Sequence, residues 1–392
     1  MNAVSLNAGT CFNCFAGIDG QNPCPNCGFD NYGMEVKPQQ LPPGTILHEG
    51  VMIGRVLGQG GFGITYLGYD LVGKRRVAVK EYFPAGMVVR QDGMLQATSN
   101  EHQASFNRGL DSFNKEAQIL SKLGSLPNIV NVHSFFFENG TGYFVMEFVE
   151  GQTLKDYLTS RGGKLDFQET LNLLLPVAQA LEAVHREGML HRDIAPDNIF
   201  VTQNGQTKLM DFGAARFHVF QETQSVRTIV KPGYAPMEQY ASQSTQGPWT
   251  DVYALGATFY RTLTGRVPLD APTRSLHDEL QSPLQLGCQL PKNADYAIMR
   301  AMSPQIMFRF RTVSDFICVL TLPDSISPIP QYTPMTPTSV EVPLAPTPVN
   351  ADPEPDQQED LPSWVLWVVG ALLILMVIWF IWLLMSTGPI VN

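Results

Sequence analysis

Apolar positions along this chain change their period several times, and each change marks an element. From Val51 to Arg90, aromatic and β-branched residues come in short runs broken by Gly and polar residues, the pattern of successive strands. Phe113, Ile119, Leu120 and Leu123 share one face of a helix predicted over Ser112 to Leu123. Tyr143 to Val149 is a mostly apolar run, a buried strand that leads into the polar Glu150-Gly151. Between Asp166 and Glu187 the residues Leu171, Leu174, Ala178, Leu181 and Val184 recur at helical spacing, and Pro176 is expected to disturb that helix locally. Ile199-Phe200-Val201 and Lys208-Leu209-Met210 flank the turn Asn204-Gly205 and predict a small hairpin. Beyond Leu322 the pattern dissolves into Pro, Thr and acids, too poor in apolar surface to fold, which predicts an extended linker over residues 321–362. Trp364 to Met385 then carries no charge over roughly 22 residues, enough for a bilayer helix, and Trp364, Trp367, Trp379 and Trp382 gather toward its ends as in interfacial belts.

Composition bounds what surrounds these elements. With 392 residues, 44% hydrophobic and 16% charged, the chain holds one domain of roughly 250 to 280 residues plus smaller attachments. Its net charge is −10, but seven acids lie beyond residue 320, where there is no Lys or Arg. The rest carries 26 basic against 29 acidic residues, so no clustered basic excess marks a nucleic-acid partner. Cys11-x-x-Cys14 and Cys24-x-x-Cys27 each turn two thiolates toward a common point, which suits tetrahedral Zn²⁺, the alternative being two disulfides of a secreted module. Four thiolates leave no open position for water, so such a metal is structural. Cys288 and Cys318, and the Met and Phe residues of 299–318, are expected in the core.

Candidate chemistry centres on His191-Arg192-Asp193-Ile194-Ala195-Pro196-Asp197-Asn198 and the following Asp211-Phe212-Gly213. Asp193 is placed to accept a proton from an attacking hydroxyl, and Asn198 with Asp211 to hold a divalent metal against nucleotide phosphates. Alone, the Asp-to-Asn spacing equally describes a surface turn, but the predicted hairpin brings Asn198 and Asp211 together. Gly58-Gln59-Gly60-Gly61-Phe62-Gly63 is used by dinucleotide folds as well, where a helix follows at once. Here the strand-forming Ile64-Thr65-Tyr66 follows, and Val77-Ala78-Val79-Lys80 supplies a cation, which describes a phosphate cover between strands. The whole set resembles the eukaryotic-type serine/threonine protein kinases, which also occur in bacteria, over roughly residues 50 to 320.

That resemblance implies an α+β, two-lobed fold, with an antiparallel sheet and one helix in the N-lobe and a mainly helical C-lobe. To these are added a zinc ribbon at residues 8–32 and a single transmembrane helix at 364–385. It implies ATP with Mg²⁺ or Mn²⁺, a Lys80–Glu116 ion pair, and Gly58, Gly60 and Gly63 over the phosphates. Met146 would stand behind the adenine, the backbone of Glu147 to Val149 at its edge, and Leu57, Thr65, Ala78 and Phe200 as apolar walls. Thr65 replaces the usual Val, a near-isostere. Residues 81–111 make the interval from Lys80 to Glu116 longer than usual, as in a bacterial subgroup with the Gly-Phe-Gly-Ile-Thr-Tyr loop. Thr223, Ser225 and Thr228 are candidate phosphorylation sites beside Arg192. Met237 stands at the Pro position of the Ala-Pro-Glu motif, Glu238 is expected to pair with Arg309, and Asp251 to tie down the catalytic loop. His185 is expected to pack or cap. Ala195 departs from the usual Lys and Lys231 from the usual Thr, so Lys231 is read as a relocated cation near Asp193. Cytosolic ATP favours zinc over disulfides, places the kinase and N-terminus in the cytoplasm with a short tail outside, and fits the absence of a signal peptide ahead of the ribbon. The function implied is phosphorylation of protein serine or threonine by a membrane-tethered kinase, the ribbon serving structure or protein docking. The alternative is a nucleotide-binding pseudokinase acting as a membrane scaffold.

Overall fold

The computed structural model describes residues 9–48, 50–124, 126–212, 230–241 and 244–325, all within the first of two units, Met1–Thr336. Gly213, the candidate phosphorylation sites, the linker beyond residue 325 and the apolar run 364–385 lie outside the described residues. Among those described, no helix is long and apolar enough to cross a membrane.

Six antiparallel strands form the N-lobe sheet: β1 (Ile46–Leu47), β2 (Val51–Gln59), β3 (Gly63–Asp70), β4 (Arg75–Tyr82), β7 (Val132–Glu138) and β8 (Thr141–Glu147), in the order β1-β2-β3-β4-β8-β7. Register sets the site. Lys80 lies opposite Thr65 on one side and Phe144 on the other, and Ala78, two residues earlier, faces Met146. Alternation along β4 therefore puts Ala78 and Lys80 on the same face.

Residues 81–111, whose purpose the sequence does not disclose, form the hairpin β5 (Val88–Gln91) and β6 (Met94–Ala97) and the first turns of helix α1 (Asn100–Leu123). The helix starts twelve residues before its predicted start, because Ser99 caps it by accepting from the His102 N–H and the early turns bury Ser105, Phe106 and Gly109. Its polar first half hid it from a search for an apolar stripe. The hairpin is fastened at Glu81, which is fully buried and accepts from Tyr66 Oη at 2.8 Å, Tyr143 Oη at 2.6 Å and Arg90 Nη2 at 2.5 Å. Arg90 also donates to the Gln39 carbonyl, which joins the N-terminal connector to the same knot.

The C-lobe is built on α3 (Phe167–Arg186), α4 (Pro248–Thr264), α6 (Lys292–Ala301) and α7 (Val313–Leu320), with the shorter α2 (Leu154–Ser160) and α5 (Ala271–Leu276). Helix α3 runs unbroken through Pro176, against expectation: the core face formed by Leu173, Leu174, Val177, Ala178 and Leu181 holds it together where one backbone bond is lost. Cys318 is exposed rather than core, since α7 buries Val313, Phe316 and Leu320 and residue 318 falls off that stripe. Met307 and Phe308 are likewise exposed, while Met299, Met302, Phe310 and Phe316 are buried as expected. β9 (Gly151–Thr153), β10 (Ile199–Thr202) and β11 (Thr207–Leu209) make a small sheet, β10 and β11 being the predicted hairpin with Ile199 opposite Leu209.

Cys11, Cys24 and Ile18 form a separate small core, with Cys14 and Phe29 packed against it. All four sulfurs lie within 4.8 Å of one another, with Cys11 to Cys27 at 3.6 Å and Cys14 to Cys24 at 3.7 Å. These are not disulfide lengths, and a tetrahedral ion with bonds of about 2.3 Å spaces its sulfurs about 3.8 Å apart. Asn13 and Asn26 donate to the Cys27 and Cys14 sulfurs, as partners of metal thiolates do.

Candidate active site

Asp251, fully buried in the first turn of α4, organises the catalytic loop. Its Oδ1 accepts from the Arg192 N–H at 2.7 Å, and its Oδ2 from the His191 N–H and His185 Nε2, both at 2.8 Å. Burial alone would push its pKa up, but the His185 bond and the backbone donors outweigh that and hold the carboxyl below its ordinary range. His185 therefore does more than pack or cap: it orients the anchor of the loop.

His191 receives the Asp193 N–H at Nδ1, 3.2 Å away, and so donates from Nε2 to the Met210 carbonyl at 2.9 Å. Burial pushes its pKa down, in keeping with this neutral tautomer, and its ring packs on Phe212 at 4.4 Å. The loop and the segment after β11 are thus joined through one imidazole. Arg192 and Asp211 both hold left-handed backbone, φ 65° and 56°, a strained conformation for side chains of this kind.

Asn198 donates from Nδ2 to the Asp193 carbonyl at 2.6 Å and to Asp193 Oδ2 at 2.8 Å. With its nitrogen committed, the atom Asn198 offers a cation is Oδ1. The Met210 N–H donates to the Asn198 carbonyl at 2.9 Å, which brings Asp211 alongside as the hairpin predicted. Across the cleft, Lys80 Nζ lies 3.1 Å from Asp211 Oδ1 and 3.6 Å from Glu116 Oε1, Glu116 being buried. The predicted Lys80–Glu116 pair is present, and Lys80 links the helix to Asp211.

Two cavities meet at Asp211. The larger, about 590 Å³, is lined by Leu57, Gly58, Thr65, Ala78, Met146, Val149 and Phe200 among others, an apolar slot of nucleotide size. The smaller, about 240 Å³, is lined by Gly58, Gly60, Gly63, Lys80 and Glu116. A Cβ at Gly58 or Gly60 would meet no atom within 4 Å, so the space above these glycines is open for phosphate oxygens, whereas at Gly63 it would meet the Glu81 carbonyl at 2.7 Å. Glu147 does not line either cavity. Its N–H donates to the Asn131 carbonyl and its carboxylate accepts from Lys208 and the Asn131 N–H, which fixes the strand end.

Lys231 Nζ lies 3.1 Å from Asp197 Oδ2, and Lys155 Nζ is 3.1 Å from Oδ1 of the same carboxylate. Partial burial would raise the Asp197 pKa, but the two lysines hold it below its usual range. Asp197 and Lys155 belong to no motif that singles them out in the sequence, and their proximity is visible only once α2 packs on the loop. Glu238 and Arg309 form the expected pair, two nitrogens on two oxygens at 2.7 and 3.1 Å, both side chains buried.

Comparison with known proteins agrees with this geometry. Residues 51–307 match the protein kinase domain family. Serine/threonine-protein kinase PrkC of Bacillus subtilis is 30% identical over 267 residues, 67% of this chain and 38% of its own length. A probable serine/threonine-protein kinase of Streptomyces coelicolor is 33% identical over 276 residues, again 67% of this chain and 38% of the relative. The chain thus spans well under half the length of these relatives. Among solved structures, the apo form of PpkA-294 is 34% identical with a TM-score of 0.64, covering 72% of this chain and 99% of that one. The kinase domain of Mycobacterium tuberculosis PknI, 24% identical with a TM-score of 0.53 and covering 72% of this chain and 98% of its own, shares the fold. With a matching family over most of its length and an ordered polar centre in the matching cleft, the chain belongs to the protein kinase family.

Proposed function

We propose that this chain transfers the γ-phosphoryl group of ATP to serine or threonine hydroxyls of protein substrates, as a membrane-tethered bacterial kinase. The observation that carries the reading is that Lys80 bridges Glu116 and Asp211 while Asn198 holds Asp193 in the same cleft. Asp193 takes the proton of the substrate hydroxyl as that oxygen bonds to the γ-phosphorus and the bond to the β–γ bridging oxygen breaks, releasing ADP. Lys80 orients the phosphates under the glycine-rich turn. A divalent cation, Mg²⁺ or Mn²⁺, would neutralise phosphate charge, with Asn198 and Asp211 as the groups to hold it. The full chain in detergent, given Mg-ATP and a mixed protein substrate, should yield phosphoserine or phosphothreonine. Bound ATP without phosphoryl transfer would favour the pseudokinase scaffold instead.

Zn²⁺ on Cys11, Cys14, Cys24 and Cys27 is structural. Residues 364–385 span the bilayer with the kinase on the side that has ATP, so a chain lacking residues 361–392 should leave the membrane pellet. Its continued sedimentation with membranes would refute the span.

Lys231 supplies the cation that Ala195 does not. Asp197, between the two lysines, fixes the Lys231 ammonium beside the catalytic loop. Lys231→Ala should lower kcat by on the order of 10²-fold with little change in ATP affinity, as loss of a preorganised charge does. Turnover near that of the unmodified enzyme would remove Lys231 from the machinery.

A further inference from the structure

The cysteine ribbon touches β2, one of the strands that line the larger cavity. Its first knuckle sits on the outer edge of β2: the Arg55 N–H donates to the Phe12 carbonyl at 3.0 Å, and Phe15 stacks on Tyr69 of β3 with ring centres 5.2 Å apart. Gly54 makes this approach possible. A Cβ there would lie 2.4 Å from the Phe12 carbonyl oxygen and 2.8 Å from the Phe15 ring. The pairing of β2 with β3 slips between Ile53 and Val56 and again before Gly58, so the strand turns an N–H outward where the ribbon receives it.

Arg55 carries this contact inward. The residue lines the larger cavity, in the company of Leu57, Gly58, Gln152 and Asp156. Its Nε donates to Asn13 Oδ1 at 2.7 Å, and Asn13, which lies between Cys11 and Cys14, donates from Nδ2 to the Cys27 sulfur at 3.6 Å. One amide thus links a thiolate of the cluster to a guanidinium in the cavity wall. An arginine otherwise has many rotamers to lose on meeting a ligand, and fixing it beforehand removes that loss.

We propose that the ribbon is part of the nucleotide site, with Asn13 as a positioning residue that holds Arg55 against the polar, ribose-and-phosphate side of a bound nucleotide. The inference rests on the reading of the cavity as a nucleotide site. The positive fork adds hydrogen-bond donors and charge to a cavity whose other polar lining residues include Gln152, Thr153 and Asp156. Integrity of the thiolate cluster then sets nucleotide affinity without entering the chemistry.

The test is calorimetric titration of the full chain with Mg-ADP. Arg55→Ala and Asn13→Ala should each weaken binding by about tenfold, the scale of one hydrogen bond to a charged group. The double variant should be no weaker than Arg55→Ala, because both remove one interaction. Stripping the metal with a chelator should match Asn13→Ala, read by the same titration and by faster amide exchange over residues 51–59. In steady-state assays KM for ATP should rise while kcat stays within about twofold, a split that general destabilisation would not give. Unchanged Mg-ADP affinity in both single variants, or additive losses in the double, overturns the proposal. An unmodified chain that fails to bind Mg-ADP overturns the nucleotide reading itself, and this inference with it.

Discussion

Asp193→Asn is expected to keep Mg-ATP binding and lose about 10²- to 10⁴-fold in kcat, the range supplied by a positioned general base. The substitution is nearly isosteric, and an amide oxygen at residue 193 still accepts from Asn198, so the loop keeps its shape. Neither cavity is lined by Asp193, so nucleotide affinity has no reason to change. Rapid-quench measurement of the first turnover separates the chemical step from product release. A variant within tenfold of the unmodified enzyme would show that proton transfer to Asp193 does not limit the reaction.

The second large effect is structural. Arg309→Met leaves the Glu238 carboxylate in a dry site with Thr250 as its remaining hydrogen-bond donor among the described residues. Removing one partner of a buried pair costs about 3–5 kcal/mol, a large part of the roughly 5–15 kcal/mol that holds a domain together. Thermal unfolding should begin about 6–20 °C lower. Replacing both residues, Glu238→Met with Arg309→Met, should recover most of the loss, since no charge is then stranded. A double variant as unstable as the single one would mean that the Ser303, Pro304 and Trp249 carbonyls, which also accept from Arg309, and not the uncompensated charge set the effect.

The site was legible in the sequence wherever chemistry demands fixed residue types at fixed spacing. Asp193 and Asn198, Asp211 after a hairpin, Lys80 on a strand and Glu238 with Arg309 all meet as expected. What escaped depends on contacts between distant segments. Glycine at residue 54 has no local signature, being explained by a carbonyl from Phe12. The first half of α1 is held by Ser99 and by packing under the hairpin rather than by an apolar stripe, and Pro176 is tolerated because tertiary burial outweighs one missing backbone bond. Asp197 carries no signal of its own until α2 brings Lys155 to it. Cys318 shows the reverse error: an apolar neighbourhood in sequence is not a buried face.

The knot at Glu81 bears on how this lobe can change over evolutionary time. A hairpin grafted between the strand and the helix would ordinarily be free to shorten, since its tip faces solvent. Here it carries Arg90, the cation for a fully buried carboxylate one residue from Lys80. Deleting residues 86–98 alone would abandon that charge inside the sheet, so a shorter lineage must first exchange Glu81 for a neutral residue, with Tyr66 and Tyr143 losing their shared acceptor in the same step. Removal of the hairpin and the identity of residue 81 are therefore physically coupled, whereas a change at the hairpin's exposed tip leaves the buried charge paired.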